Sequence, residues 1–171
     1  MFVLRSATLD DAADTDRRSR GGLARVTTST YFTPELVRIH AGSATREEAM
    51  REATDLLVAA GAVTPAYFEA MQERERSVST FMGNGLAIPH GTFETMDAVL
   101  GSGISVVRYD GGVDWGGHPA TFVVGIAGRD GEHLDILGQI AVLFSDADEV
   151  ARLAAAATPE ELYALISAAE A

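Results

Sequence analysis

GISVVRYDGGVDWGGHPATFVVGIAG, residues 103–128, contains two continuous apolar, β-branched runs, GISVVRY at 103–109 and TFVVGIA at 121–127. A strand with one face in water alternates polar and apolar residues, whereas uninterrupted runs like these belong to strands covered on both faces. Covering both faces of a sheet requires a layer of helices on each side, and the rest of the chain supplies helical patterns.

Upstream, TPELVRIHAG places Leu36, Val37 and Ile39 in a short strand ahead of Gly42. Thr45 followed three residues later by Glu48 is a capping-box signature. Ala49, Ala53, Leu56, Leu57 and Ala60 then recur at helical spacing until Gly61. A second helix opens at Thr64 with Pro65 in its first turn, turns Tyr67, Phe68 and Met71 inward and runs toward Arg76. Gly83, Asn84 and Gly85 mark a turn, and Leu86 to Ile88 read as a brief buried strand ending at Pro89. Downstream, Asp130 is the candidate N-cap of a helix with Leu134, Leu137, Ile140, Ala141 and Phe144 on one stripe. DADEVARLAAA and TPEELYALISAAE, the latter capped by Thr158 with Pro159 next, close the chain as two short helices. The expected fold is α/β, a mixed central sheet with helices on both faces in three layers, formed by residues 31–171. Residues 1–30 mix Asp10, Asp11, Asp14 and Asp16 with Arg17, Arg18, Arg20 and Arg25, lack apolar periodicity and read as a loosely ordered leader.

The chain has 171 residues, enough for one domain that buries a core without disulfides or structural metals. Its net charge of −12 repels a nucleic-acid backbone and suits a partner with a positive docking face. Cysteine is absent, which excludes thiol nucleophiles, thiolate zinc sites and iron–sulfur clusters. All basic residues are arginine, so lysine Schiff-base chemistry and a P-loop lysine are excluded as well. The start, MFVLRSATLDDAADTDRRSR, lacks the apolar core of a signal peptide, and no run is long and apolar enough for a membrane helix, which makes a cytoplasmic location the default expectation.

Among four histidines, His90 has the most distinctive setting, GLAIPHG at 85–91. Pro89 fixes its own φ and holds Ile88 extended, so the imidazole has a rigid approach. A neutral imidazole with a free nitrogen and open access can attack phosphorus near physiological pH. Taken alone, the same pattern also suits a structural turn. His40, at a strand end, and His118, in the loop GGHP, have no matching partner and read as structural. No HxxxH or HExxH spacing supports a zinc site, and Gly83 and Gly85 lead into a strand rather than the helix that a dinucleotide fingerprint needs.

The stretch YFEAMQERERSVSTFMGNGLAIPHGTFETMDAVL, with GISVVRYDGGVDWGG and FVVGIAGRDGEHLDILGQIAVL after it, resembles mannitol/fructose-class enzyme IIA proteins of the bacterial sugar phosphotransferase system. The resemblance covers residues 31–171, and its most specific elements are IPHG ending at 91 and EHL at 132–134, in that order. It implies that His90 is the phosphoryl acceptor, reached at Nε2, with His133 as the second active-site histidine. Arg74, in ERER at 73–76, matches the family's active-site arginine in a gap-free register, and Arg76 is the second candidate. A phosphoryl group in transfer needs positioning and electrostatic support more than covalent help, and a guanidinium offers a permanent charge in a planar fork. His133, in the first turn of its helix, sits where the dipole favours an anion and can donate a hydrogen bond while neutral.

The resemblance further implies phosphorylated HPr, the general phosphocarrier, as donor and a cysteine of enzyme IIB as acceptor. It implies no cofactor, and the membrane permease lies on another chain. The alternative is a regulatory module of the same fold whose His90 phosphorylation state another protein senses.

Overall fold

The computed structural model describes residues 31–169. The expected leader, residues 1–30, lies outside the described residues. A single five-stranded sheet has the order β1-β4-β5-β3-β2, with β1 at Val37–His40, β2 at Phe81–Gly83, β3 at Leu86–Ala87, β4 at Gly103–Asp114 and β5 at Pro119–Ala127. It is mixed: β1 runs parallel to β4, β4 antiparallel to β5, β5 parallel to β3, and β3 antiparallel to β2. The five α-helices of the described residues are α1 (Arg46–Ala59), α2 (Tyr67–Ser77), α3 (Glu132–Ser145), α4 (Ala147–Ala154) and α5 (Pro159–Ala168).

The alternation of side chains along β4 divides these helices between two faces. Ser105 Oγ donates to the Ala53 carbonyl at 3.0 Å and Tyr109 Oη donates to Glu52 at 2.6 Å, so the odd-numbered positions face α1. Arg108 points the other way, where Nη1 donates to the Leu153 and Ala156 carbonyls at 3.0 and 2.8 Å and satisfies the C-terminal end of α4. Phe122, the cross-strand partner of Arg108, meets Phe144 of α3 edge-on on that same face. The three-layer α/β/α arrangement expected from the two apolar runs is thus formed around a core that includes Trp115, Phe122, Leu57 and Ile126.

Local chemistry explains most boundaries. Thr45 and Glu48 complete both halves of the capping box at α1, and Gly61, at φ +76°, follows that helix in the left-handed region. Asp146 caps α4 and Thr158 caps α5 ahead of Pro159. Thr64 to Ala66 form a turn, so α2 starts at Tyr67, slightly later than the sequence suggests. Gly83, Asn84 and Gly85 all have positive φ, and this tight turn adds β2, a short edge strand the sequence did not announce.

The helix α3 departs from expectation twice. Gly131, at φ +86°, occupies the cap position without a side-chain bond, and Asp130 is itself left-handed at φ +54°. The buried stripe is Ile136, Ile140 and Phe144, while Leu134 is exposed. The chain turns sharply between Gly128 and Gly131, which rotates the helix relative to the stripe drawn from an Asp130 start.

Gly103 and Gly125 let α1 lie close on the sheet: a Cβ at 125 would stand 2.5 Å from Ser105 Oγ and 3.0 Å from Ala53 Cβ, and one at 103 would stand 3.1 Å from Leu57 Cδ2. Gly125→Val is therefore expected to destabilise the domain by about 1–3 kcal/mol through overpacking. Denaturant unfolding measures this, and an unchanged midpoint would contradict the close helix–sheet approach.

Candidate functional site

The pairing of β3 with β5 continues past the end of β3. Ile126 N–H donates to the Pro89 carbonyl at 3.2 Å, and His90 forms an isolated parallel bridge with Ile126. Ile88 N–H donates to the Thr80 carbonyl at 3.1 Å on the other side. His90 is consequently fixed at the edge where both strands end. Its ring Nδ1 lies 2.7 Å from the Ile88 carbonyl. A carbonyl oxygen only accepts, so Nδ1 carries the proton and Nε2 keeps its lone pair. Burial pushes the imidazole pKa below its ordinary value; the nearby Arg74 guanidinium and His133 push the same way, against the Ile88 carbonyl and Glu75. The result is a half-buried, neutral imidazole with one committed nitrogen and one free.

His133 comes to the same edge because β5 runs into α3 there. A cleft with about 20 Å³ of free space is lined by Tyr67, His90, Thr92, Met96, Gly128 and His133. This space is on the scale of a single water molecule or phosphate oxygen. Gly128 is needed for the approach: a Cβ there would stand 2.6 Å from His133 Cα. The first turn of α3 is tied down by Glu132, whose carboxylate accepts from the hydroxyls of Ser102 and Tyr31. His133 Nδ1 is buried with no hydrogen-bond partner among the described residues. Unlike the His90 ring, this imidazole has no protein group there to fix its tautomer.

Arg74 projects from α2 and donates through Nη1 to the Val78 carbonyl at 2.7 Å, rather than pairing with Glu73. Its neighbour Glu75 is buried and accepts from Thr80 N at 3.0 Å and from Trp115 Nε1 at 2.9 Å, which pins the C-terminal half of α2 to the sheet. Arg76 turns instead into a separate groove between α1 and α2, with Arg46 and Gln72. Of the two candidate arginines, Arg74 is the one whose charge acts on His90.

The other two histidines lie elsewhere: His40 Nε2 meets Glu52 at 2.7 Å, and His118 stacks on Phe81. No group of three or more His, Asp or Glu side chains among the described residues is arranged to hold a metal ion. Sequence reasoning missed Glu75, Glu132 and the hydroxyl of Tyr67, which donates to the Ile126 carbonyl at 2.6 Å and accepts from Gly91 N–H at 2.8 Å. Tyr67 was legible as an inward residue; a buried tyrosine hydroxyl needs a partner, but the partner's identity is a property of the tertiary fold.

Fold and site together define an α/β/α domain that presents the bare nitrogen of one imidazole at a strand end, beside a helix-start histidine and a guanidinium. The chain belongs to the family described as "Phosphoenolpyruvate-dependent sugar phosphotransferase system, EIIA 2", which matches residues 30–169. It is 46% identical over 143 residues to the mannitol-specific phosphotransferase enzyme IIA component of Staphylococcus aureus, covering 84% of this chain and 99% of that protein. The corresponding Bacillus subtilis protein is 43% identical over 134 residues, covering 78% of this chain and 94% of that protein. The crystal structure of IIA mannitol from Escherichia coli superposes with a TM-score of 0.72 at 35% identity, covering 79% of this chain and 98% of that one. A chain from the Escherichia coli complex of enzyme IIAMtl and phosphorylated enzyme IIBMtl gives a TM-score of 0.74 at 34% identity, covering 80% and 97%.

Because the His90 pKa is lowered in the fold, the unfolded chain takes up this proton first as pH falls below 6.5. This group's contribution to stability therefore declines as pH drops from 6.5 toward the folded value. The expected NMR titration of His90 has its midpoint below 6.5; a midpoint at or above it would contradict the buried, neutral ring. Gly128→Ala is expected to displace the start of α3 and to shift the ring resonances of both His90 and His133.

Proposed function

We propose that this chain is a phosphocarrier that accepts a phosphoryl group from phosphorylated HPr on Nε2 of His90 and passes it to a cysteine of an enzyme IIB partner during sugar uptake. The observation that carries this reading is the 2.7 Å contact between His90 Nδ1 and the Ile88 carbonyl, which leaves Nε2 as the only nucleophilic nitrogen of the ring. In acceptance, the P–N bond of the donor phosphohistidine breaks as a P–N bond to Nε2 forms, and Nδ1 keeps its proton. In donation, that bond breaks as a P–S bond forms on the partner thiolate. The acceptor cysteine belongs to another chain, since this one has none.

Arg74 and His133 support the group in transit. The guanidinium, already held to the Val78 carbonyl by one N–H, has others to direct at equatorial oxygens, and His133 adds a ring N–H donor at the start of α3. The carrier unit is residues 31–171, with residues 1–30 ahead of it. No helix of the described residues is long and apolar enough to cross a membrane, which supports a carrier working in the cytoplasm beside a separate permease. The names of the relatives make mannitol the first sugar to test.

Incubation with phosphorylated HPr is expected to label wild-type protein at His90 and to leave His90→Ala unlabelled; full labelling of that variant would remove the assignment. Arg74→Ala and His133→Ala are expected to slow single-turnover transfer by about 100- to 1000-fold while remaining folded, the range for losing one electrostatic support. Rates equal to wild type would strip those two residues of their roles. The adduct should be acid-labile and base-stable, and should discharge onto a purified IIB cysteine. Phosphate that stays on His90 in that mixture would favour the regulatory alternative.

A further inference from the structure

Each peptide around His90 is tied to a different part of the fold. Ile88 N–H bonds to Thr80, and the Pro89 carbonyl accepts from Ile126, both through backbone atoms. The third tie, from Gly91 N–H, ends on a side chain, the hydroxyl of Tyr67. We propose that Tyr67 is a positioning residue for phosphoryl acceptance, using its hydroxyl to lock the segment after His90 against the end of β5 and so aim Nε2 into the cleft. This rests on the reading of His90 as acceptor.

Three observations support the assignment. Tyr67 is the first residue of α2 and Arg74 lies two turns further along the same helix, so the two share a face. Fixing Tyr67 to the His90 segment therefore fixes the separation between the nucleophile and the guanidinium. Second, Tyr67 lines the same cleft as His90 and His133. Third, Gly91 is shaped to this ring: a Cβ there would stand 2.6 Å from Tyr67 Cε2 and 2.9 Å from Thr95 Oγ1.

The tyrosine does not act on the phosphoryl group itself. Its single proton is committed to the Ile126 carbonyl at 2.6 Å, and its oxygen already accepts from Gly91. Burial pushes its pKa up to about 12, with the Gly91 bond opposing, so the O–H persists as a donor at any pH the protein works in. Displacements of about an ångström in a transfer site cost on the order of 100-fold in rate, which is the scale available to a residue that only aims another.

The test compares wild type, Tyr67→Phe, Gly91→Ala and His90→Ala in single-turnover labelling by phosphorylated HPr, alongside 15N NMR of the His90 ring in unphosphorylated protein. Tyr67→Phe keeps the ring and removes both hydrogen bonds; Gly91→Ala keeps the hydroxyl and forces the same junction from the backbone side. Both are expected to accept phosphate about 10-fold or more slowly, to reach full labelling in time, and to show shifted His90 ring nitrogens. Wild-type rates and unchanged His90 nitrogens in whichever of the two is folded would overturn the proposal, as would a lowered melting temperature with no other change. Labelling of His90→Ala, or none of wild type, would sink the acceptor assignment and this proposal with it. A wild type labelled at His90 with variants of equal rate defeats the positioning role alone.

Discussion

The hydrogen bond from Ile126 N–H to the Pro89 carbonyl carries the sheet two residues beyond the two-residue strand β3, and the site depends on it. Proline has no N–H to offer a neighbouring strand, yet its carbonyl accepts normally, so the ladder can end on it from one side only. The next residue, His90, is left beside Ile126 with its ring free to turn back and donate to Ile88. Because β3 and β5 are parallel, both strands finish at the same edge, and the segments leaving them meet there. His90 follows one strand and His133 opens the helix after the other. Two residues distant in sequence become neighbours through topology, with Gly128 permitting the close approach, as expected for sites at the carboxyl ends of parallel strands.

The proposed third member of the site arrives by a different route. Arg74 sits on α2, which is anchored at both ends by buried polar groups: the Tyr67 hydroxyl at the first residue and the Glu75 carboxylate near the last. Glu75 is enclosed by Trp115 and Thr80 and also lies 3.7 Å from Arg46. A buried carboxylate so fully engaged costs much to break, since loss of one partner leaves the others unpaired. The alternation of acid and base in ERER at 73–76 thus has a structural meaning. One glutamate is turned in as an anchor, and the arginine before it bonds the Val78 carbonyl with its charge acting on His90.

Much of this fold was legible in the sequence. The two apolar runs at 103–109 and 121–127 identified strands buried on both sides, and the capping box at Thr45 and the Thr158–Pro159 start located two helices to within a residue. Local chemistry dictated those features, so local reading found them. The cap of α3 was misread at Asp130 because the backbone there is left-handed and Gly131 takes the cap position instead. The strand-end placement of His90 was legible from the proline before it. The proton position on its ring was not, because that is decided by a carbonyl two residues back once the chain has folded. The Tyr67 and Glu75 bonds are longer-range still, and no spacing announces them.

The same geometry also limits how tightly a phosphoryl group can be held. One Arg74 N–H is committed to the Val78 carbonyl, so the guanidinium is held in place with only part of its donor set available. His133 Nδ1 is buried with no hydrogen-bond partner among the described residues, so none of them pins that ring. Groups that bind the resting anion and the transferring one equally well lower the energy of both and leave the barrier unchanged. A carrier must also give its group away, so excess affinity for the phosphorylated state would slow the second half of the cycle. An imidazole kept neutral by burial suits both halves. On the reading proposed above, it attacks without first losing a proton, and once the group departs to a thiolate it returns to the same uncharged form, its Nδ1 proton still donated to the Ile88 carbonyl.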